Sequence, residues 1–205
     1  MLRLAGALAL AVGAVGLLGY LRVVGKGPFA TPAERHLRAM KDRVAAPDSF
    51  APIGFDGMIA LPRRRPLDEY AAIERRGVVL GGYVQSMFRS PDGDFHVELV
   101  PRNPGPDGRL VGGVSAEVTP QWRHGSRAWE YERLVATFRP LEGGRGHFED
   151  PPRRVRISGW LLYDFEYEGV TPRVGPGRRT QWEIHPVTAV EVWDDSTGTF
   201  AELAR

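Results

Sequence analysis

Val78-Val-Leu-Gly-Gly-Tyr-Val-Gln-Ser-Met-Phe88 is the stretch on which the fold turns. Its β-branched and aromatic residues predict a long strand, and the adjacent Gly81 and Gly82 predict a kink inside it. A strand that bends at glycine is what a small barrel requires at a corner. Just downstream, Pro91-Asp-Gly-Asp94 reads as a turn. Phe95, Val97 and Leu99 then alternate with Asp94, His96 and Glu98, the pattern of a half-buried second strand. Asn103-Pro-Gly-Pro-Asp-Gly108 makes the next connection. Val114, Ala116 and Val118, alternating with Ser115 and Glu117, form a short third strand.

The period then changes. Ser126 is placed to cap a helix whose Ala128, Tyr131, Val135 and Phe138 share one face. After the loop Gly143-Gly-Arg-Gly146, a long strand alternates Val155, Ile157, Gly159, Leu161, Tyr163, Phe165 and Tyr167 against polar partners. The Gly/Pro stretch 169–177 is a loop. A last strand starts near Thr180 and carries Trp182 and Ile184 opposite Glu183 and His185, with Pro186 demanding a bulge or an edge. Strand, strand, strand, helix, strand, strand is the order of a mainly β, five-stranded Greek-key barrel, the OB-fold. The expectation places it at residues 77–193, with 194–205 as a tail.

Upstream, Thr31-Pro-Ala-Glu34 is a helix start, with Thr as cap, Pro in the first turn and Glu three residues on. Leu37, Met40 and Val44 recur on one face until Pro47, predicting a short amphipathic helix. Pro47, Pro52, Pro62 and Pro66 mark an irregular tether ending in Arg63-Arg-Arg65, followed by a helical turn near 67–74. Residues 29–76 therefore read as a helix and a Pro-rich tether.

Leu4 to Leu21 is uncharged between Arg3 and Arg22. As a helix rising 1.5 Å per residue it reaches about 27 Å, close to a bilayer core of roughly 30 Å. Residues 1–28 are thus expected to be a membrane anchor, with a cleaved signal segment as the competing expectation. A body outside the cytoplasm is expected because a single N-terminal span usually serves export, although several basic residues follow the span.

Charge follows the same division. The formal net charge is +2, yet residues 1–28 contribute Arg3, Arg22 and Lys26 and no acid. The remaining 177 residues hold 24 bases and 25 acids. A protein built to bind a phosphate backbone would carry its surplus on the folded part, so nucleic acid is a disfavoured partner. Cysteine is absent, which excludes disulfides, thiolate metal sites and cysteine nucleophiles.

Sorting the strands by parity puts Asp94, His96, Glu117, Asp164, Glu183 and His185 on the side away from the core, together with Glu98 and Glu166. The outer face of a half-buried sheet is polar by necessity, so solvation or structural hydrogen bonds account for such a face. Imidazoles and carboxylates from several strands also suit a divalent metal, with His96, His185 and Asp94 as first candidates. Trp122, Trp129 and Trp160 offer a second kind of site, an aromatic platform for a sugar, peptide or single strand, unless they pack beneath the helix.

Asp92-Gly-Asp-Phe-His96, Ala116-Glu-Val-Thr-Pro120, Gly159-Trp-Leu-Leu-Tyr-Asp164 and Trp182-Glu-Ile-His-Pro-Val187 occur in this order at the spacing of the barrel strands. Together they resemble uncharacterised bacterial exported proteins with a D-x-D-x-H turn and a W-E-I-H-P strand. The resemblance covers about residues 77–193 and implies an exported OB-like domain with no settled activity. Many of these relatives carry a His shortly after the Asp matching Asp164, where this chain has Glu166, Tyr167 and Glu168. The expectation is a membrane-anchored module in the envelope that binds a small ligand or an envelope protein. The alternative is a metal-dependent hydrolase, phosphodiesterase or nuclease-like, using the Asp/His/Glu face.

Overall fold

In a computed structural model of the chain, residues 11–18, 30–90, 92–103, 113–124, 126–139, 152–168 and 178–203 are described. Most of the run 4–21 lies outside them, as do the expected connections at 104–108, 143–146 and 169–177. Residues 11–18 are helical. Among the described residues no helix is long and apolar enough to cross a membrane.

Two compact units divide the chain, Met1–Arg43 and Val44–Arg205. The first contains the helix Pro32–Lys41. Its capping box forms as the sequence predicts: Glu34 N donates to Thr31 Oγ1 at 3.2 Å, and Thr31 N donates to Glu34 Oε2 at 2.6 Å. The helix ends at Lys41, short of Pro47, because Asp42 already serves as its C-cap.

The second unit is the barrel. Its strands are β1 (Ala51–Pro52), β2 (Gly77–Arg89), β3 (Phe95–Val100), β4 (Val114–Val118), β5 (Arg154–Tyr163), β6 (Trp182–Asp194) and β7 (Thr199–Glu202). Pairing runs β2-β3-β4-β6-β5, and β5 pairs back onto β2 to close the ring. The β4–β6 contact is parallel and the other ring contacts are antiparallel. This is the strand order and closure of the OB-fold, with the helix Tyr131–Phe138 between β4 and β5.

The glycine kink has a definite cause. The first half of β2 pairs with β5 and the second half with β3, and Tyr83 belongs to both ladders. At Gly82 the corner is so tight that a Cβ would stand 2.9 Å from the Val100 carbonyl oxygen and 3.0 Å from the Phe55 ring. Opposite Pro186, the β5–β6 register shifts on both sides of Gly159, which is the irregularity that Pro186 demanded.

Several elements differ from expectation. The helix begins at Tyr131 with Glu130 as N-cap, so Ser126 does not cap it; Ser126 N instead closes a turn onto Arg123 O. Leu134 and Phe138 are its buried residues. β5 stops at Tyr163, because Asp164 Oδ1 accepts from Glu166 N at 3.1 Å and starts a 3-10 turn. Residues 199–202, read as a tail, pair with β6 as β7.

Residues 44–76 are also more ordered than a tether. They contain β1 and the short helices Phe55–Ala60 and Leu67–Ile73. Met58 and Tyr70 belong to the same core cluster as the barrel. Tyr70 stacks on Tyr163 at 4.1 Å, and Trp182 Nε1 donates to Pro62 O at 2.7 Å. Each large apolar side chain so buried contributes about 1.5–3 kcal/mol.

Candidate functional site

Backbone register assembles the site. His96 on β3 lies directly across from Glu117 on β4. Ala116 pairs with Ile184, so Glu183 and His185, which flank Ile184, share the face of Glu117. Val97, Ala116 and Ile184 point the other way into the core. Asp94 joins the group from the turn just before β3, where Gly93 adopts φ of 95°.

Parity therefore sorts these strand residues away from the core as expected, but they are not solvated. Asp94, His96, Glu117, Asp164, Glu183 and His185 are all buried, His185 and Glu183 completely. Burying an unpaired charge costs several kcal/mol, so such a face survives only by internal pairing. His96 Nδ1 stands 3.1 Å from Glu117 Oε1, and His185 Nδ1 stands 3.0 Å from Glu117 Oε2 and 3.2 Å from Glu183 Oε1. His185 Nε2 lies 3.8 Å from Asp94 Oδ2 and makes no hydrogen bond.

One member of the group was missed by sequence reasoning. Arg178, just after the Gly/Pro-rich stretch 169–177 of the sequence, donates through Nη2 to Glu183 Oε2 and stands 3.6 Å from Glu117 Oε1. Its guanidinium also lies 5.1 Å over the Tyr167 ring. The sequence did hold a signal for it: an acid-rich face without a base calls for one, and Arg178 lies just ahead of the last strand.

The electrostatics differ between the two imidazoles. Burial lowers the His96 pKa to about 4 despite the pull of Glu183, so His96 is neutral at physiological pH. Burial would also lower that of His185, but Glu117 and Glu183 overcome it and raise the value to about 10. Arg178 is likewise held in its charged form: burial opposes the charge, while Glu183, Glu98 and Glu117 outweigh it. Burial pushes the Glu98 carboxyl up, and Ser115 Oγ donates to it at 2.8 Å.

The remaining sequence candidates disperse. Asp164 is buried but serves the 3-10 turn, and Glu166 is exposed within that turn. Trp129 is fully buried in the core and presents no ring face to solvent. Trp160 is half-buried, with Nε1 donating to Ala45 O at 2.7 Å, and Trp122 packs against the core edge. Trp129 therefore offers no stacking surface, because the turn just ahead of the helix Tyr131–Phe138 places its ring in the core.

The ligand atoms of Asp94, Glu117 and His185 all lie within 4.8 Å of one another. No family model and no curated protein matches the chain. Among solved structures, the chain is similar to asparaginyl-tRNA synthetase from Entamoeba histolytica, at 14% identity and a TM-score of 0.36 over 70% of this chain and 24% of that one. It is also similar to asparaginyl-tRNA synthetase from Pyrococcus horikoshii complexed with asparaginyl-adenylate, at 16% identity and a TM-score of 0.34 over 64% and 22%. A third is OBody AM3L09 bound to hen egg-white lysozyme, at 15% identity and a TM-score of 0.33 over 65% and 97%. The chain spans about a quarter of the length of the synthetases. Likeness at this level bears on no function, and the fold stands on its own strand order.

Proposed function

We propose that the chain is a membrane-anchored, extracytoplasmic binding module that takes a small cationic ligand on the outer face of β3, β4 and β6 and is not itself an enzyme. One observation carries the reading. Asp94, Glu117 and Glu183 are buried together with one guanidinium, Arg178, and the imidazolium of His185, so acid exceeds base inside a closed cluster. The position supports it, because OB-folds meet ligands across the second and third strands and the loops beside them. Here Asp94 ends the first such loop, His96 and Glu117 lie on those two strands, and Arg178 stands shortly before β6.

The acid surplus disfavours a polyanion, and burial disfavours a bulky ligand. Burial also weighs against hydrolysis, which needs water and a scissile bond at the carboxylates. The anchor rests on the uncharged run 4–21 of the sequence and the extracytoplasmic location on the same run. An envelope protein as a further partner rests on the narrow apolar face of the helix Pro32–Lys41.

The test is calorimetric titration of the full-length chain in detergent micelles with a single-stranded oligonucleotide, a neutral oligosaccharide, spermine and divalent cations. Binding of a cationic member, lost in Glu117→Gln, is expected. Binding confined to the oligonucleotide and weakened by added salt overturns the reading.

A further inference from the structure

We infer that Asp94, Glu117 and His185 form a binding site for one divalent first-row metal ion. The inference rests on the reading of this face as the recognition face and names its ligand. Three carboxylate and imidazole groups near one another do not make a metal site by themselves. The distinguishing observation is His185 Nε2, fully buried, without a hydrogen bond, and directed towards Asp94 Oδ2 at 3.8 Å.

The other ring nitrogen explains why Nε2 is available. Nδ1 faces Glu117 Oε2 and Glu183 Oε1 and keeps its proton there, so a metal entering beside Asp94 displaces the Nε2 proton of the imidazolium to solvent and takes up the lone pair this frees. A metal-binding histidine typically gives its second N–H to a carboxylate, and that carboxylate is itself held by a further partner. Glu183 fills the first role and Arg178, donating to Glu183, fills the second. The 3.8 Å gap is too long for a hydrogen bond. Two ligands at about 2.1 Å from a tetrahedral ion stand about 3.4 Å apart, so only a few tenths of an ångström must close.

The donor set narrows the ion. One imidazole nitrogen with two carboxylates, and no cysteine anywhere in the chain, suits Zn²⁺ or Mn²⁺ and disfavours ions that select thiolates. A divalent cation would also supply positive charge where buried acid exceeds buried base.

The experiment is titration of the chelator-treated full-length chain in micelles with Zn²⁺ and with Mn²⁺, followed by calorimetry and, for Mn²⁺, electron paramagnetic resonance. Co²⁺ substitution reads the coordination by its visible absorption. One equivalent of metal is expected, with affinity reduced at least tenfold in Asp94→Asn and in His185→Gln and unchanged in the exposed control Arg133→Ala. Asp94→Asn keeps the size of the side chain in a turn, so it tests the site if His185→Gln fails to fold; circular dichroism distinguishes the two. Metal binding that persists in both variants, or no binding to a folded wild type, overturns the inference. If spermine binds and is lost in Glu117→Gln while neither metal binds, the metal site falls and the cation-binding reading stands. If nothing cationic binds, both fall.

Discussion

Glu117 of β4 and His185 of β6 meet with Oε2 3.0 Å from Nδ1, both closed to solvent. Among the described residues, the backbone pairing between these two parallel strands is the register pair Ala116 with Ile184, and just ahead of them Gly113 and Arg178 form a further parallel bridge. The side-chain contact therefore carries much of the join on the outer face. A double-mutant cycle of Glu117→Ala and His185→Ala should give a coupling of about 1–3 kcal/mol by urea unfolding of chelator-treated protein. Additive single effects would show that the contact contributes nothing.

Arg178→Met should be among the most damaging substitutions outside the core. It removes a guanidinium that faces Glu183 and Glu117 and leaves their carboxylates buried with less compensation. Breaking a buried pair from one side costs about 3–5 kcal/mol. Chemical denaturation measures this directly, and a change under 1 kcal/mol would mean that water reaches the carboxylates.

Gly159→Ala should destabilise through the backbone. The added Cβ would stand 2.3 Å from the Pro186 carbonyl oxygen and 2.6 Å from Ile184 Cγ2. Overpacking of this kind costs about 1–3 kcal/mol or more. Gly81→Ala, whose nearest new contact is 3.9 Å away, is the control and should shift the melting midpoint far less.

Phe138→Ala tests how the helix Tyr131–Phe138 is joined to the core. Phe138 is buried in the core cluster, and a truncation there costs about 3–5 kcal/mol. A loss below 1 kcal/mol in thermal or urea unfolding would show that the helix is not part of the cooperative core.

Asp194 gives a pH dependence with a definite sign. Ser196 N and Ser196 Oγ donate to Asp194 Oδ1 at 2.8 and 2.6 Å, and these bonds hold the carboxyl below its ordinary range. A depressed folded-state value means stabilisation present above the unfolded pKa and lost as pH falls through the folded one. Carbon NMR titration should place the Asp194 midpoint below that of an unstructured aspartate, and Ser196→Ala should raise it.

Much of the barrel is legible in the sequence because its signals are local. The alternation of Phe95, Val97 and Leu99, the Gly81-Gly82 corner and the irregularity at Pro186 each depend on residues within a few positions. The same alternation sorts Glu117 and His185 onto one face. Burial of that face is not legible, because it depends on Arg178 and on strands brought together only by the closed ring. The place of Tyr70 is lost for the same reason: it stacks on Tyr163 and meets the edge of Trp182, 93 and 112 positions further along the chain. Residues 199–202 hold too short a pattern to announce a strand without β6 beside them.

The sparse seam between β4 and β6, held among the described residues by the Ala116–Ile184 pair and the Gly113–Arg178 bridge, has a kinetic meaning. A ring parts most easily where fewest backbone bonds cross, and local openings occur at free energies below that of global unfolding. Parting here would expose Glu117 and His185 while β2, β3 and β5 stay joined. Hydrogen exchange of the Ala116 and Ile184 amides, faster than that of Leu80 and Ile157 in the β2–β5 ladder, would identify this seam as the door through which a small ion enters and leaves.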